Sequence, residues 1–113
     1  MPVEKWSDTI AVAHLGDDPQ FSEDMACVEQ AVAGSRPLGV VLDFDAINFV
    51  NSSNISQLLR ARKLMLAENG RLVLCNISTR IWGTFLVTGL DKIFTFSDNV
   101  TTALATLQIE SRK

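Results

Sequence analysis

Residues 38–77, LGVVLDFDAINFVNSSNISQLLRARKLMLAENGRLVLCNI, decide the fold. The stretch opens on an unbroken apolar run, LGVVLDF (38–44), and closes on another, RLVLCNI (71–77). Continuous apolar runs of this length suit strands buried on both faces. Between them Ile55, Leu58, Leu59, Met65 and Leu66 recur at helical spacing. Arg62 falls on the edge of that stripe, where a long cationic side chain can lay its stem on apolar surface. Asn69-Gly70 ends the helix, with Gly able to take positive φ. A strand, a helix and a second buried strand in succession imply a right-handed parallel crossover.

Inside this unit, NSSN (51–54) breaks an apolar run just where strand gives way to helix. The first N–H groups of a helix lack intrahelical partners, and Ser and Asn side chains supply them. Open parallel sheets also tend to place function at the carboxyl ends of their strands, and the break lies at one. Ser52 and Ser53 therefore have two readings: helix caps only, or hydroxyls presented for chemistry.

The alternation extends in both directions. TIAVAHL (9–15) reads as a strand, and PVEKW (2–6) as an extra N-terminal one. Asp18-Pro19 starts a helix, since Pro suits the first helical position. Phe21, Met25, Val28 and Val32 give its inner face, and Gly34 and Pro37 close it. Ser78 or Thr79 caps the next helix, RIWGTFLVT (80–88), with Trp82 and Phe85 facing the core. Gly83 costs roughly 1 kcal/mol in a helix interior, so it is read as permitting a close packing contact. Gly89 then stops the helix, with Leu90 folding back towards Phe85. KIFTF (92–96) is the last strand; Asp98 caps a final helix with Val100, Ala103, Leu104 and Leu107 inward, and ESRK (110–113) frays. The fold class is α/β: a small mixed, mostly parallel sheet flanked by about four helices.

A chain of 113 residues is expected to form a single domain, 1–113. Its 47% hydrophobic content is too high for disorder, and a core can form without disulfides or a metal. With a net charge of −3 there is no broad basic field, so no nucleic-acid partner is expected. Arg60, Arg62 and Lys63 make one local basic cluster on a helix. The N-terminus MPVEKWSD has no apolar h-region, and no apolar run approaches a bilayer span. A cytoplasmic protein without membrane insertion is the expectation. Cys27 and Cys75 are isolated in apolar patterns and read as buried free thiols. His14 is the sole histidine, with no Cys/His cluster to join it, so no metal site is expected. Neither GxGxxG nor a P-loop occurs, and no cofactor is expected. Asp43 and Asp45, two apart at a strand end, could face one cation or simply solvent.

One resemblance draws these features together. After the apolar strand at 40–44, NSSN (51–54), NGRLVL (69–74) and TGLDKIF (88–94) stand in register. In that combination the chain resembles the STAS domain of bacterial anti-sigma-factor antagonists, well over residues 38–108 and loosely before them. The resemblance implies a small sheet flanked by helices, with the serine motif at a helix start. It implies a switchable binding partner and not an enzyme. In antagonist members a protein serine kinase, itself the anti-sigma factor, phosphorylates the first serine of an Asp-Ser-Ser/Thr-Gly motif; the matching residue is Ser52. The unphosphorylated form binds the anti-sigma factor and frees the sigma factor, and a PP2C-type phosphatase restores it. Asn51, Ser53 and Asn54 flank the site. Asn51 stands where Asp is usual and Asn54 where Gly is usual. Partner contact is expected on the exposed side of the following helix, including Arg60 and Lys63. Two other readings stay open: a permanently docked STAS subunit, as in lipid-transport ABC complexes, and a small hydrolase pairing Ser52 with His14.

Overall fold

The computed structural model describes residues 3–111, with side chains as far as Ile109; the tail 110–113, expected to fray, lies outside the described side chains. Five strands form one sheet in the order of the sequence. Strand β1 (Val3–Lys5) runs antiparallel to β2 (Ile10–His14), confirming the extra N-terminal strand. Strands β3 (Gly39–Asp43), β4 (Arg71–Cys75) and β5 (Thr95–Ser97) continue parallel to β2. Four α-helices surround the sheet: α1 (Gln20–Ser35), α2 (Ser52–Ala67), α3 (Thr79–Thr88) and α4 (Val100–Ser111).

Alternate residues of the central strands feed two cores. Ala11, Ala13, Val40, Leu42, Leu72 and Leu74 pack with the inner faces of α1, α2 and α3. Ile10, Val12, Val41, Val73 and Cys75 pack with Ala103 and Leu107 of α4. Every residue of β3 is buried, which is why its sequence shows no alternation.

Several boundaries differ from the sequence reading. Pro19 sits at the N-cap of α1, after a cis Asp18–Pro19 bond, and not inside the helix. Gly34 does not close α1; the helix runs to Ser35, and Arg36 takes the left-handed conformation at φ 48°. The buried stripe of α2 is Asn54, Leu58, Ala61 and Met65, while Leu59 and Leu66 are exposed. Asn69, not Gly70, adopts positive φ (58°). Gly70 is required for space instead, since a Cβ there would lie 2.6 Å from Met65 Cε and 3.3 Å from the Leu38 carbonyl oxygen.

Gly83 makes no close packing contact, because a Cβ there meets nothing within 4 Å. Residues 90–92 form a 3-10 turn, so the last strand begins at Thr95 and not at Lys92. Asn99 caps α4 in place of Asp98, accepting the Thr102 N–H at 2.8 Å. Ser78 caps α3, and Gly89 ends it at φ 75°, as expected. Cys75 is buried, but Cys27 is only half-buried.

Candidate functional site

The loop between β3 and α2 is pinned from both sides. Phe44 and Ile47 are buried in the larger core, and the Phe44 ring meets Phe21 and Phe85 edge-on at 6.2 and 6.4 Å. Asn48 donates its backbone N–H and its side-chain amide to the Asp17 carboxylate, at 2.9 and 2.8 Å. Asn51 is thereby delivered in an extended conformation to the N-cap position of α2.

Two asparagines build the cap. Asn51 Oδ1 accepts the Asn54 N–H at 2.8 Å, and Asn54 Oδ1 accepts the Asn51 N–H at 3.1 Å. This is a reciprocal capping box, with Asn at the third position where Glu or Gln is common. Both remaining amide groups point to one oxygen. Asn51 Nδ2 and Asn54 Nδ2 donate to Asp18 Oδ2 at 2.9 and 3.0 Å. Ser22 donates its hydroxyl to the other Asp18 oxygen at 3.2 Å. The bonds from Asn51 and then Asn54 hold the Asp18 carboxyl below its usual value, and those from Asn48 do the same for Asp17.

Ser52 and Ser53 therefore do not cap the helix. They occupy its first two positions and are exposed. Among the described residues neither hydroxyl makes a hydrogen bond, and neither backbone N–H does. Two free hydroxyls stand over free N–H groups at the positive end of a 16-residue helix. The helix start has a carboxylate beside it although its own first residues carry none. It arrives through Asp18, from the loop between β2 and α1.

The exposed side of α2 begins at Ser52. At 100° per residue, Ser56, Leu59, Lys63 and Leu66 all fall within about 40° of it. Lys63 is exposed on this stripe. Arg60 is turned about 80° away, towards α1, where its guanidinium lies 3.9 Å from Glu29. Arg62 donates Nε to the Ile93 carbonyl at 3.3 Å.

A second polar cluster closes the ends of β2, β3 and β4. His14 Nδ1 lies 2.7 Å from Asp43 Oδ2, and His14 Nε2 lies 3.6 Å from Glu4 Oε2. Asp43 Oδ1 accepts from Asn76 Nδ2 at 2.8 Å and from the Asp45 N–H at 3.0 Å. Asp45 thus follows the strand end in a turn, and the two carboxylates do not share a strand face. Burial alone would push the Asp43 carboxyl up; the Asn76, Asp45 and His14 donors together hold it below its usual value. The hydrogen bond to Asp43 raises His14. Neither serine is a partner of His14, whose two ring nitrogens face Asp43 and Glu4. Among the described residues no group of three or more His, Cys, Asp or Glu side chains is placed to hold a metal ion. None of their helices is long and apolar enough to cross a membrane.

Sequence reasoning missed Asp17, Asp18 and Asn48. The available signal was an acidic pair in front of a proline, in a chain whose serine motif carries no acid of its own. The family comparison bears on the same region: the STAS domain profile matches residues 20–103. The chain belongs to the STAS domain family. Its fold matches a serine-to-glutamate variant of RsbS from Moorella thermoacetica with a TM-score of 0.86 at 21% identity, covering 99% of this chain and 97% of that one. The anti-sigma-factor antagonist SpoIIAA in its unphosphorylated form matches with a TM-score of 0.80 at 19% identity, over 94% of each chain. The Bacillus cell fate determinant SpoIIAA in its phosphorylated form matches with 0.66 at 19% identity, over 84% of this chain and 88% of that one. At such identities the likeness is one of fold. No curated protein matches the sequence. This STAS domain presents Ser52 and Ser53 at the head of α2 while its two flanking asparagines hold Asp18.

Proposed function

We propose that this STAS domain is an anti-sigma-factor antagonist, a cytoplasmic binding protein switched by reversible phosphorylation of Ser52. One observation supports the reading above the rest. The helix is capped by Asn51 and Asn54, so the exposed Ser52 hydroxyl has no structural duty. A solved relative of the same fold, SpoIIAA, is described in both unphosphorylated and phosphorylated forms.

The chemistry needs no catalytic group from this chain. A protein serine kinase, in this reading the anti-sigma factor itself, transfers the γ-phosphoryl group of ATP to Ser52 Oγ, releasing ADP and the hydroxyl proton. A PP2C-type phosphatase hydrolyses the ester and returns serine and phosphate. The modification adds about −1.5 to −2 charges at neutral pH. A helix N-terminus tolerates an anion, so the fold survives while the surface changes sign. The unphosphorylated face that meets the anti-sigma factor is the exposed side of α2. Lys63, Leu59 and Leu66 share the Ser52 side, and Arg60 forms its border with α1.

The test is incubation with the cognate serine kinase and ATP, followed by intact mass and site mapping. One phosphoryl group on Ser52, and weakened binding by Ser52→Asp, are the expected results. No phosphoryl group, together with unchanged binding by Ser52→Asp, defeats the switch. Stable co-purification with an ABC ATPase would mark the chain as a docked transport subunit instead.

A further inference from the structure

The site contains an anion before any phosphate arrives. Asp18 is held at the head of α2 by the side-chain amides of Asn51 and Asn54, both donating to the same oxygen. Those two residues flank Ser52 directly and at two positions further on. We infer that Asp18 is part of the switch: a phosphate on Ser52 competes with the Asp18 carboxylate for the adjacent, exposed Asn51 amide and repels that carboxylate, and so unlatches the β2–α1 loop from the start of α2. The inference rests on Ser52 being the phosphorylated residue.

Three physical points support it. A phosphoserine brings three strong acceptor oxygens and more charge than a carboxylate, so it wins a contest for shared N–H donors. Ser52 adjoins Asn51, one Cα step of about 3.8 Å away. The Asn51 amide in turn lies 2.9 Å from Asp18 Oδ2, so a phosphate on Ser52 and the Asp18 carboxylate are like charges at one helix end and repel each other. Finally, Asp18 has few other ties. Apart from Asn51 and Asn54, the Asp18 carboxylate has only Ser22, in the first turn of α1, among its side-chain partners in the described residues. Its neighbour Asp17 holds Asn48 by two bonds subject to the same repulsion. Unlatching would carry the signal from the head of α2 to the head of α1, widening the surface that changes on phosphorylation. The asparagines that replace the family's Asp and Gly become the moving contacts of the device.

The experiment uses the full chain with phosphoserine placed at position 52 during translation, so no kinase is needed. The Gln20 amide, bonded to the Asp17 carbonyl at 3.0 Å, and the Asn48 amide, bonded to Asp17 Oδ1 at 2.9 Å, report on the loop. Their hydrogen exchange should rise at least about tenfold, the effect of losing a single charge-assisted hydrogen bond. In Asp18→Ala they should already exchange faster, and phosphoserine should add less than it does with Asp18 present, only the repulsion on Asp17 being left. The Asn51 and Asn54 side-chain amide resonances should also follow the phosphate titration near pH 6. Unchanged exchange, an equal rise with and without Asp18, or amide resonances indifferent to that titration would overturn the inference. Failure of any kinase to modify Ser52 would instead overturn the proposed function and leave these results intact.

Discussion

Replacing Asn54 by glycine should weaken this protein. Asn54 is only 1% exposed, and its side chain closes the capping box by accepting the Asn51 N–H at 3.1 Å. Asn54→Gly removes that bond, at about 1 kcal/mol. It places glycine in the first turn of a helix, for roughly 0.3–0.5 kcal/mol more. The vacated volume of a buried side chain brings the total to about 2 kcal/mol. The lost bond to Asp18 acts in the same direction. At about 4 °C per kcal/mol for a domain of this size, the thermal midpoint should fall by about 8 °C. Ser53→Gly is the internal control, because Ser53 is exposed and its hydroxyl makes no hydrogen bond among the described residues. It should cost only its helix propensity, about 0.5 kcal/mol. Circular dichroism melts and urea titrations of the three proteins decide the matter. An Asn54→Gly variant no less stable than Ser53→Gly would refute the claim that the asparagine pair, and not the serine pair, caps α2.

The other predictions concern regions away from the serines. Gly83→Ala should raise stability by about 1 kcal/mol in a urea titration, because the added methyl enters open space in a helix interior. The His14–Asp43 pair gives a pH signature. His14 is raised from 6.5, so its contribution is complete below that value and fades as pH rises through the raised pKa. Asp43 is lowered from 3.8, so its contribution is complete above that value and fades as pH falls through the lowered pKa. The urea midpoint should therefore decline as pH rises above 6.5, and His14→Gln should flatten that decline. Burial pushes the Cys75 thiol up to about 12. Iodoacetamide at pH near 8 should then label half-buried Cys27 in the native protein and reach Cys75 only on unfolding, as read by peptide mass.

The central strands were legible because burial on both faces leaves an unbroken apolar run, as in 38–44 and 71–77. Helix α2 was legible as a helix but not as a face. Leu59 and Leu66 looked like core by composition, yet they are exposed. Asn54 looked like surface, yet it is buried, because its polar atoms find partners within the first turn and at Asp18. Hydropathy cannot register a side chain whose polarity is satisfied locally. The helix ends were misread where Gly or Pro was taken as punctuation. Gly34 lies inside α1, and non-glycine residues Arg36 and Asn69 supply the left-handed turns. The partners of the site were the least legible. Asp18 lies 33 residues from Asn51, and His14 lies 29 from Asp43. Those meetings depend on the sheet register and on the docking of α1 against α2, which no local pattern encodes.

The strands lie in the sheet in the order in which the chain is written, and this bears on how the protein is made. No strand has to be inserted between two that are already paired. Each βα unit emerging from the ribosome can dock on the edge left by the preceding one, so contacts stay short in sequence and closure costs stay low. Only one unfinished edge is presented to neighbouring nascent chains at a time. The three-residue strand β5 ends the series on an edge too short to recruit another molecule.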